Sequence, residues 1–281
     1  MLRDVAQLGS AHGSGPWGRG FKSHHPDHKE NMDNIIILAC NRKDLETFKK
    51  CSNFLLPHPK FSCSIVHSFT KDILDDTIKT YKDKSLSLLI DKIIYENELD
   101  EVEAEIKEYK DKGIKYFFYS DLAVYTILKK LNLEESGVYY NPTKITSLIE
   151  AEAYFKTLQS PLYITTKVEI EDLITISKDI PICYLLYGYR YLFYSKRKLI
   201  TDFKDEYSLD IKPDYTLYNL KEATREELLP AYEDDNGTFI YTSKPIDNLG
   251  KLDKMTSFKF AIVNLNLIKD TSEIQRRLDN E

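Results

Sequence analysis

The sequence predicts an α/β fold of the TIM-like (β/α)8 barrel type. Short apolar runs alternate with amphipathic charged segments from Asn34 onward, and eight such runs lie between residues 35 and 264. Strands that alternate with helices of about 10–15 residues form right-handed βαβ units and therefore a parallel sheet. An open, doubly wound sheet is the alternative. No G-x-G-x-x-G or Walker lysine motif follows any strand, which weakens the nucleotide-binding form of that alternative.

Each predicted strand is a short apolar run. The eight strands span residues 35–40, 53–56, 86–94, 116–120, 137–140, 162–165, 182–186 and 258–264. Six helices are predicted between them, at residues 43–51, 71–81, 98–111, 122–131, 146–158 and 169–177. Apolar side chains recur at helical spacing from Leu99 to Tyr109, and charged side chains occupy the opposite face of that helix. Gly113 follows where a helix C-cap is expected.

The alternation is interrupted between residues 198 and 253, a stretch rich in Asp, Glu, Tyr and Pro. We expect this stretch to be an insertion that precedes the last helix and covers one end of the barrel. Residues 32–281 are therefore predicted to form one barrel domain, which is long enough to bury a full hydrophobic core.

Residues 1–31 have a different composition, with half of the ten glycines, Trp17 and four of the six histidines. They show neither helical nor strand periodicity, so we interpret them as a disordered leader rather than a metal-binding tail built on "HHPDH". The segments "VAQLG" and "GFKSHHP" resemble a conceptual translation of the D-arm and TΨC-arm of a transfer-RNA gene. We therefore expect that translation starts at Met32 and that the leader is a mis-called start.

Composition limits the classes of function. The net charge of −6 argues against a protein that coats nucleic acid through its global charge, although a local basic patch remains compatible with it. No apolar run approaches the roughly 18–20 residues that span a bilayer. The four cysteines lie without metal-ligand spacing, so reduced thiols are expected. These features predict a cytoplasmic protein with no membrane partner.

Functional residues of such a barrel lie on loops at the carboxyl ends of its strands. The polar candidates there are Asp91, Lys92, Asp121, Asn141, Lys144, Thr166, Lys167, Asn264 and Asn266. Asp91 and Asp121 follow neighbouring strands and could form a pair of carboxylates. Alternatively, Asp91 is buried with Lys92 or Lys115, and Asp121 is the N-cap of the helix at residues 122–131.

The run "YGYRYLFYSKRKLITDF" at residues 187–203 combines aromatic and basic side chains after an apolar strand. Bases could stack on its tyrosines, Tyr187, Tyr189, Tyr191 and Tyr194, while its cations, Arg190, Lys196, Arg197 and Lys198, contact phosphates. The alternative is a half-buried strand with a solvated face. No histidine follows His67. A histidine base or a histidine-ligated metal at the rim would therefore need His58 or His67.

Several ordered segments resemble the peptidase U32 family, which includes collagenase-like proteins and tRNA uridine-hydroxylation proteins. The segments are "PAYEDDNGTFIYTSKPIDNLGKLDKM" (residues 230–255), "YSKRKLITDF" (residues 194–203), "ENELDEVEAEIKEYKDKGIKYFFYSDLAV" (residues 96–124) and the final strand "FKFAIVNL". The resemblance covers residues 34–270 and implies a TIM barrel. Several members of the family bind an iron–sulphur cluster through cysteines, and others act on tRNA or are described as peptidases.

The chain departs from the family pattern at positions where chemistry is expected. The family's His-Gly at a strand end aligns with Tyr187-Gly188, and the cysteine that follows it is absent from "YRYLFYSKRK". The family's Arg-Glu after the sixth strand aligns with Thr166-Lys167, and its Gly-Ala-Asp in the first unit aligns with Cys51-Ser52-Asn53. These departures predict that the iron–sulphur cluster of the relatives is lost and that no cofactor is bound.

The resemblance leads to three functional hypotheses. The first is a divergent U32 protein that acts in hydroxylation of tRNA wobble uridine, with tRNA and a second U32 subunit as partners and without catalysis of its own. The second is a collagenase-like peptidase, and the third is a pseudoenzyme with a structural or ligand-binding role. The candidate ligand or RNA contacts are Asp91, Asp121, Lys167, Tyr187, Arg190, Ser195, Lys196, Arg197 and Lys198.

Overall fold

Eight parallel strands close into a barrel in the computed structural model, which describes residues 33–210, 217–224 and 226–280. The barrel strands are β1 (Ile35–Leu38), β2 (Asn53–Pro57), β3 (Ser85–Ile90), β4 (Tyr116–Tyr119), β5 (Gly137–Tyr139), β6 (Leu162–Tyr163), β7 (Ile182–Gly188) and β13 (Phe260–Asn264). Their order is β7-β13-β1-β2-β3-β4-β5-β6, and the pairing of β6 with β7 closes the ring. The predicted barrel is confirmed. The predictions about residues 1–31 lie outside the described residues.

The six predicted helices are present. They are α1 (Arg42–Thr47), α2 (Lys71–Thr80), α3 (Leu99–Asp111), α4 (Leu122–Lys130), α5 (Leu148–Leu158) and α6 (Ile170–Ile176). Side chains fix several of their starts, because Asn41, Thr70, Asp121 and Ser147 each accept a hydrogen bond from a backbone N–H in the first turn. Gly113 follows the end of α3 with a φ of 101°, a left-handed conformation that glycine adopts readily.

The barrel wall has two apolar faces because successive side chains of a strand point to opposite sides. In β1, Ile36 and Leu38 belong to the cluster that fills the barrel interior, whereas Ile35 and Ile37 pack with the helices. Burial on both faces explains why the strands appear in the sequence as continuous apolar runs.

The insertion lies between the seventh and eighth barrel strands. It contains β8 (Tyr191–Ser195), α7 (Leu199–Glu206), β9 (Tyr218–Lys221), β10 (Leu228–Asp234), β11 (Gly237–Tyr241) and β12 (Ile246–Asp247). Four of these strands form an antiparallel sheet in the order β8-β11-β10-β9, and β12 pairs with β7. The sheet packs on the barrel rim through Cys63, Tyr232, Phe239 and Tyr241. Helix α8 (Ser272–Asn280) follows the last barrel strand, so the insertion precedes the last helix as predicted.

The insertion starts earlier than the expected residue 198, because the chain leaves the barrel directly after Gly188. This glycine has a φ of 134°, and an added Cβ would lie 2.4 Å from the backbone oxygen of Asn264. The aromatic and basic run is therefore divided between the end of β7 and the separate strand β8.

Among the residues that the structure describes, no helix is both long enough and apolar enough to cross a membrane.

Candidate functional site

A cavity of about 570 Å³ opens at the carboxyl end of the barrel, beside the insertion. Loops after β3, β4 and β5 form one wall, and β8 forms the other. The loop wall is mainly polar and carries Asp91, Lys92, Ser120, Asp121, Asn141 and Thr143, among others. The β8 wall is aromatic and apolar and carries Tyr191, Leu192, Phe193 and Tyr194. A cavity of this size and mixed lining suits a small ligand or one exposed unit of a larger one.

Asp91 lines this cavity and is nevertheless almost fully buried. Its carboxylate accepts hydrogen bonds from Ser62 Oγ (3.0 Å), from the backbone N–H groups of Cys63 (2.8 Å) and Ser64 (3.3 Å), and from Ser64 Oγ. Burial raises the pKa of Asp91, and these hydrogen bonds act in the opposite direction. Asp91 therefore fixes the loop of residues 62–64. Lys92, one of the two lysines that the alternative placed beside Asp91, instead lies 2.6 Å from Glu98.

Asp121 joins two elements of the loop wall. Its Oδ1 accepts a hydrogen bond from the backbone N–H of Ala123 at 2.9 Å, which makes it the N-cap of α4. Its Oδ2 accepts a hydrogen bond from the backbone N–H of Ile94, also at 2.9 Å. Asp91 and Asp121 thus line one cavity, but each carboxylate binds its own set of backbone groups. The N-cap alternative describes Asp121 correctly.

Strand β8 is an edge of the described four-stranded sheet and pairs there with β11. Leu192 and Phe193 are 40% and 45% exposed, respectively. The Tyr194 ring instead stacks on Phe239, with ring centroids 4.7 Å apart. Phe193 is therefore the exposed aromatic side chain of this wall.

Lys92 lines the cavity, and Lys196 lies within electrostatic reach of it. Lys196 Nζ lies 3.8 Å from the centroid of the Tyr95 ring, which is 46% exposed. Desolvation and the nearby charge of Lys92 lower the pKa of Lys196. Arg197 follows with an exposed side chain. Lys92 already pairs with Glu98, so Lys196 and the exposed Arg197 are the cations offered to an anionic ligand.

The other predicted contacts lie elsewhere on the rim. Ser195 Oγ accepts a hydrogen bond from the backbone N–H of Arg197 at 3.1 Å, and Lys198 pairs with Asp235 at 2.8 Å. Lys167 is exposed in the loop after β6. Tyr187 packs into the apolar layer between the barrel and its helices.

Arg190 differs from the other cations of the run. It is half-buried at the carboxyl ends of β6 and β7, where its guanidinium donates a hydrogen bond to Thr166 Oγ1 at 3.0 Å. It lines a second, smaller cavity near the barrel axis rather than the cavity beside β8.

Two segments of the family resemblance, residues 194–203 and 230–255, meet in what we term the insertion seam, formed by Glu233, Thr238 and the backbone of residues 197–201. Glu233 is 2% exposed and accepts hydrogen bonds from the backbone N–H groups of Ile200 (2.8 Å) and Thr201 (3.0 Å) at the start of α7. It also accepts from Thr201 Oγ1 (2.6 Å) and Thr238 Oγ1 (2.5 Å). The N-terminus of α7 is therefore already occupied by a carboxylate.

Sequence reasoning missed Tyr95, Phe193 and Glu233. Position within the exposed edge strand singles out Phe193, but a sequence does not show which strand forms an edge. Tyr95 and Lys196 are about a hundred residues apart and meet because the insertion folds back over the β3 loop. No local pattern reports such a contact.

The histidines and cysteines have structural environments. His58 Nδ1 accepts hydrogen bonds from the backbone N–H groups of Lys60 and Phe61, both at 3.1 Å. His67 Nδ1 accepts one from the backbone N–H of Phe69 at 3.2 Å, and burial lowers the pKa of His67 to about 4. Burial raises the pKa of all four thiols, Cys40, Cys51, Cys63 and Cys183.

The cysteines do not fit an iron–sulphur cluster. Cys51 packs between the barrel and the helices, Cys183 lies in the barrel interior, and Cys63 lies under the insertion. These three thiols thus belong to three separate apolar clusters, whereas such a cluster needs convergent thiolates. Within the described ranges, no three His, Cys, Asp or Glu side chains are grouped so that they could hold a metal ion.

Comparison with known proteins bears on the family. No curated protein matches the chain. Among solved structures, chitinase ChiW from Paenibacillus sp. str. FPU-7, a multi-modular enzyme expressed on the cell surface, is similar with 8% identity and a TM-score of 0.40. That similarity covers 88% of this chain and 33% of the chitinase, so the chain spans about a third of its length. The sequence model of peptidase family U32 matches residues 58–268, well over half of the chain. The chain belongs to peptidase family U32.

Proposed function

We propose that this family U32 barrel acts in the hydroxylation of tRNA wobble uridine as an RNA-binding partner of a second family U32 subunit, without catalysing the reaction itself. One observation carries the proposal. An exposed aromatic edge strand lines a cavity at the rim where barrel enzymes place their sites, and Lys196 and Arg197 directly follow that strand. The protein acts in the cytoplasm, where tRNA is found.

The cavity beside β8 has the components that bind single-stranded RNA. Phe193 offers an exposed ring on which a base can stack, and stacking is tolerant of base identity. Lys196 and Arg197 come directly after the end of β8 and supply positive charge for the adjoining phosphates. Asn141 Oδ1 accepts hydrogen bonds from the backbone N–H (3.2 Å) and the Oγ1 (3.1 Å) of Thr143, so its Nδ2 is the part of the amide that can donate to a base edge.

The side chains around the cavity support binding rather than bond cleavage. Peptide hydrolysis needs an activated nucleophile beside a base. Burial raises the pKa of the thiols, and Ser195 Oγ accepts a hydrogen bond from the backbone N–H of Arg197. Asp91 and Asp121 accept hydrogen bonds that fix loops. A ligand held here is therefore positioned by these groups for a reaction that another subunit performs.

The direct test is tRNA binding as a function of salt. The double variant Lys196→Gln with Arg197→Gln should reduce the slope of log affinity against log salt concentration by about 1.5, because each lost phosphate contact reduces it by about 0.7–0.9. The matched control is Lys167→Gln, which removes an exposed cation at the end of β6 and should leave the slope unchanged. Equal slopes for wild type, the double variant and the control would show that Lys196 and Arg197 are solvated and do not contact phosphates.

The second test concerns the reaction. A deletion strain should contain less hydroxylated wobble uridine when its tRNA nucleosides are measured by mass spectrometry, and the double variant should restore the modification poorly. Unchanged wobble uridine in the deletion strain would remove the proposal. Hydrolysis of unfolded collagen or casein by the purified protein, lost in a Ser195→Ala variant, would instead favour the peptidase alternative.

A further inference from the structure

The barrel mouth near its axis contains a second cavity that the proposed RNA site does not use. Its volume is about 10 Å³, and Tyr140, Tyr163, Tyr191, Arg190 and Asn264 are among the residues that line it. A space of this volume admits roughly one water-sized group. It lies where the strands of a barrel end, the position at which barrels commonly place a reactive or recognised group of their ligand.

Two tyrosines of this cavity, Tyr140 and Tyr163, offer it hydroxyl donors. Tyr140 is 3% exposed and Tyr163 is 1% exposed, and both line the space. Within residues 33–210, 217–224 and 226–280, the structure gives neither hydroxyl a hydrogen-bond partner. Burial raises the pKa of both phenols, so both stay protonated and able to donate.

Arg190 adds a positive charge to the same cavity. Its guanidinium has five N–H donors and uses one for Thr166 Oγ1 at 3.0 Å. No carboxylate in the described part of the chain lies within ion-pair distance of it. Asp91 is within electrostatic reach of Tyr140 and Tyr191, but its oxygens already accept four hydrogen bonds from residues 62–64. The cavity is thus rich in donors and poor in acceptors.

We propose that this cavity binds a small oxyanion, the carboxylate or phosphate end of a ligand, with Arg190 as its charge partner and the hydroxyls of Tyr140 and Tyr163 as donors. Arginine suits this role because its planar fork matches the oxygens of a carboxylate or phosphate. The present volume takes one oxygen of the ligand, so the rest of the molecule lies toward the rim. This site shares Tyr191 with the cavity beside β8, whereas Arg190, Tyr140 and Tyr163 line it alone.

Anion binding is measured by thermal unfolding and calorimetry with sodium phosphate, sodium acetate and sodium chloride at matched ionic strength. Wild-type protein should be stabilised saturably by phosphate, by acetate or by both, and chloride should not reproduce the effect. The relative affinities of the two salts show whether the site prefers a phosphoryl group or a carboxylate. Arg190→Gln should lower the affinity for the preferred anion at least tenfold. Arg276→Gln removes an exposed arginine of α8, away from both proposed sites, and should bind as wild type does.

A second, more conservative variant controls for misfolding. Tyr163→Phe keeps the ring and removes one donor, so it should fold and bind the anion several-fold more weakly. Equal binding by wild type and both site variants would overturn the proposal, as would stabilisation no greater than that by chloride, which would leave an ordered water as the occupant. Arg190→Gln should leave the salt dependence of tRNA affinity unchanged. The anion measurements therefore test the cavity alone, and the tRNA measurements test the RNA proposal alone.

Discussion

The insertion seam and the β8 wall belong to one small antiparallel sheet, yet their side chains have opposite environments. In the seam, Glu233 is 2% exposed and accepts four hydrogen bonds from the start of α7 and from Thr238. On the β8 wall, Leu192 and Phe193 are 40% and 45% exposed beside an open cavity. The residues by which the chain resembles its family thus include those that shape the insertion. The side chains available to a ligand lie next to them.

This comparison separates stability from binding. Substitutions in the seam should lower the free energy of unfolding, whereas substitutions on the β8 wall should weaken ligand binding and leave unfolding nearly unchanged. Variants in the seam and on the β8 wall therefore test whether stability and binding depend on different side chains.

The largest effect is expected for Glu233→Gln. The amide replaces one of the two acceptor oxygens with a donor, which then faces either the donors of Ile200 and Thr238 or the two donors of Thr201. The free energy of unfolding should therefore fall by about 3–5 kcal/mol. Denaturant unfolding measures this loss. Glu227→Gln is the matched control, because Glu227 is an exposed carboxylate of the same insertion and its replacement should change stability by less than about 0.5 kcal/mol. Similar losses in both variants would contradict the role of the seam.

The pH dependence of unfolding sharpens the same prediction. Burial alone would raise the pKa of Glu233, but its hydrogen bonds outweigh burial and lower the pKa below the ordinary value of 4.5. Its stabilisation is therefore complete above that value and is lost as the pH falls through the lower pKa of the folded state. Between pH 6 and pH 3, wild-type protein should lose more stability than Glu233→Gln. Parallel pH curves for the two proteins would show that the carboxylate is not stabilised in the fold.

A somewhat smaller effect is expected for Gly237→Ala, at the turn between β10 and β11. Gly237 has a φ of 127°, and an added Cβ would lie 2.1 Å from the backbone oxygen of Ser195. The strained backbone and the displaced strand should lower the free energy of unfolding by about 2–3 kcal/mol. Gly250→Ala is the control, because an added Cβ there meets no atom within 4 Å. Equal unfolding midpoints for the two variants would contradict this account.

The smallest effect is expected on the β8 wall. Phe193→Ala should weaken tRNA binding by about 1–3 kcal/mol, the contribution of one stacked base, and change stability by less than about 0.5 kcal/mol. Fluorescence anisotropy with labelled tRNA measures the affinity. The matched control is Phe203→Ala on α7, which removes a phenylalanine that is 53% exposed outside the cavity and should not alter binding. If Phe193→Ala lost stability but kept its affinity for tRNA, β8 would have a structural role like that of the seam, not a binding role.

Local sequence signals were enough for the frame of the molecule. Runs such as residues 35–40 predict strands because a parallel barrel strand is apolar on both faces. Asp121 and Gly113 mark helix ends because capping depends on a few neighbouring backbone groups. The insertion was recognised by the loss of alternation, but its start was not, because the backbone conformation of Gly188 responds to the close approach of Asn264.

The candidate sites were predicted less completely. The basic and aromatic run was predicted as one site, but in the fold it divides between Arg190 near the barrel axis and Lys196 over Tyr95. Glu233 lies in one of the segments that resemble the family, but the sequence did not indicate its role. Its burial depends on α7, which begins more than thirty residues earlier in the chain. Such contacts arise between distant segments, and periodicity and capping carry no information about them.

Sequence patterns indicated the parallel strands, the order of the helices, the presence of an insertion and the resemblance to the family. These features follow from apolar periodicity, short-range hydrogen bonding and ordered segments along the chain. Only the tertiary structure decided which polar groups are already satisfied and which still lack a partner. Burial and hydrogen-bond geometry settle that distinction, and they depend on residues that are close in space rather than in sequence.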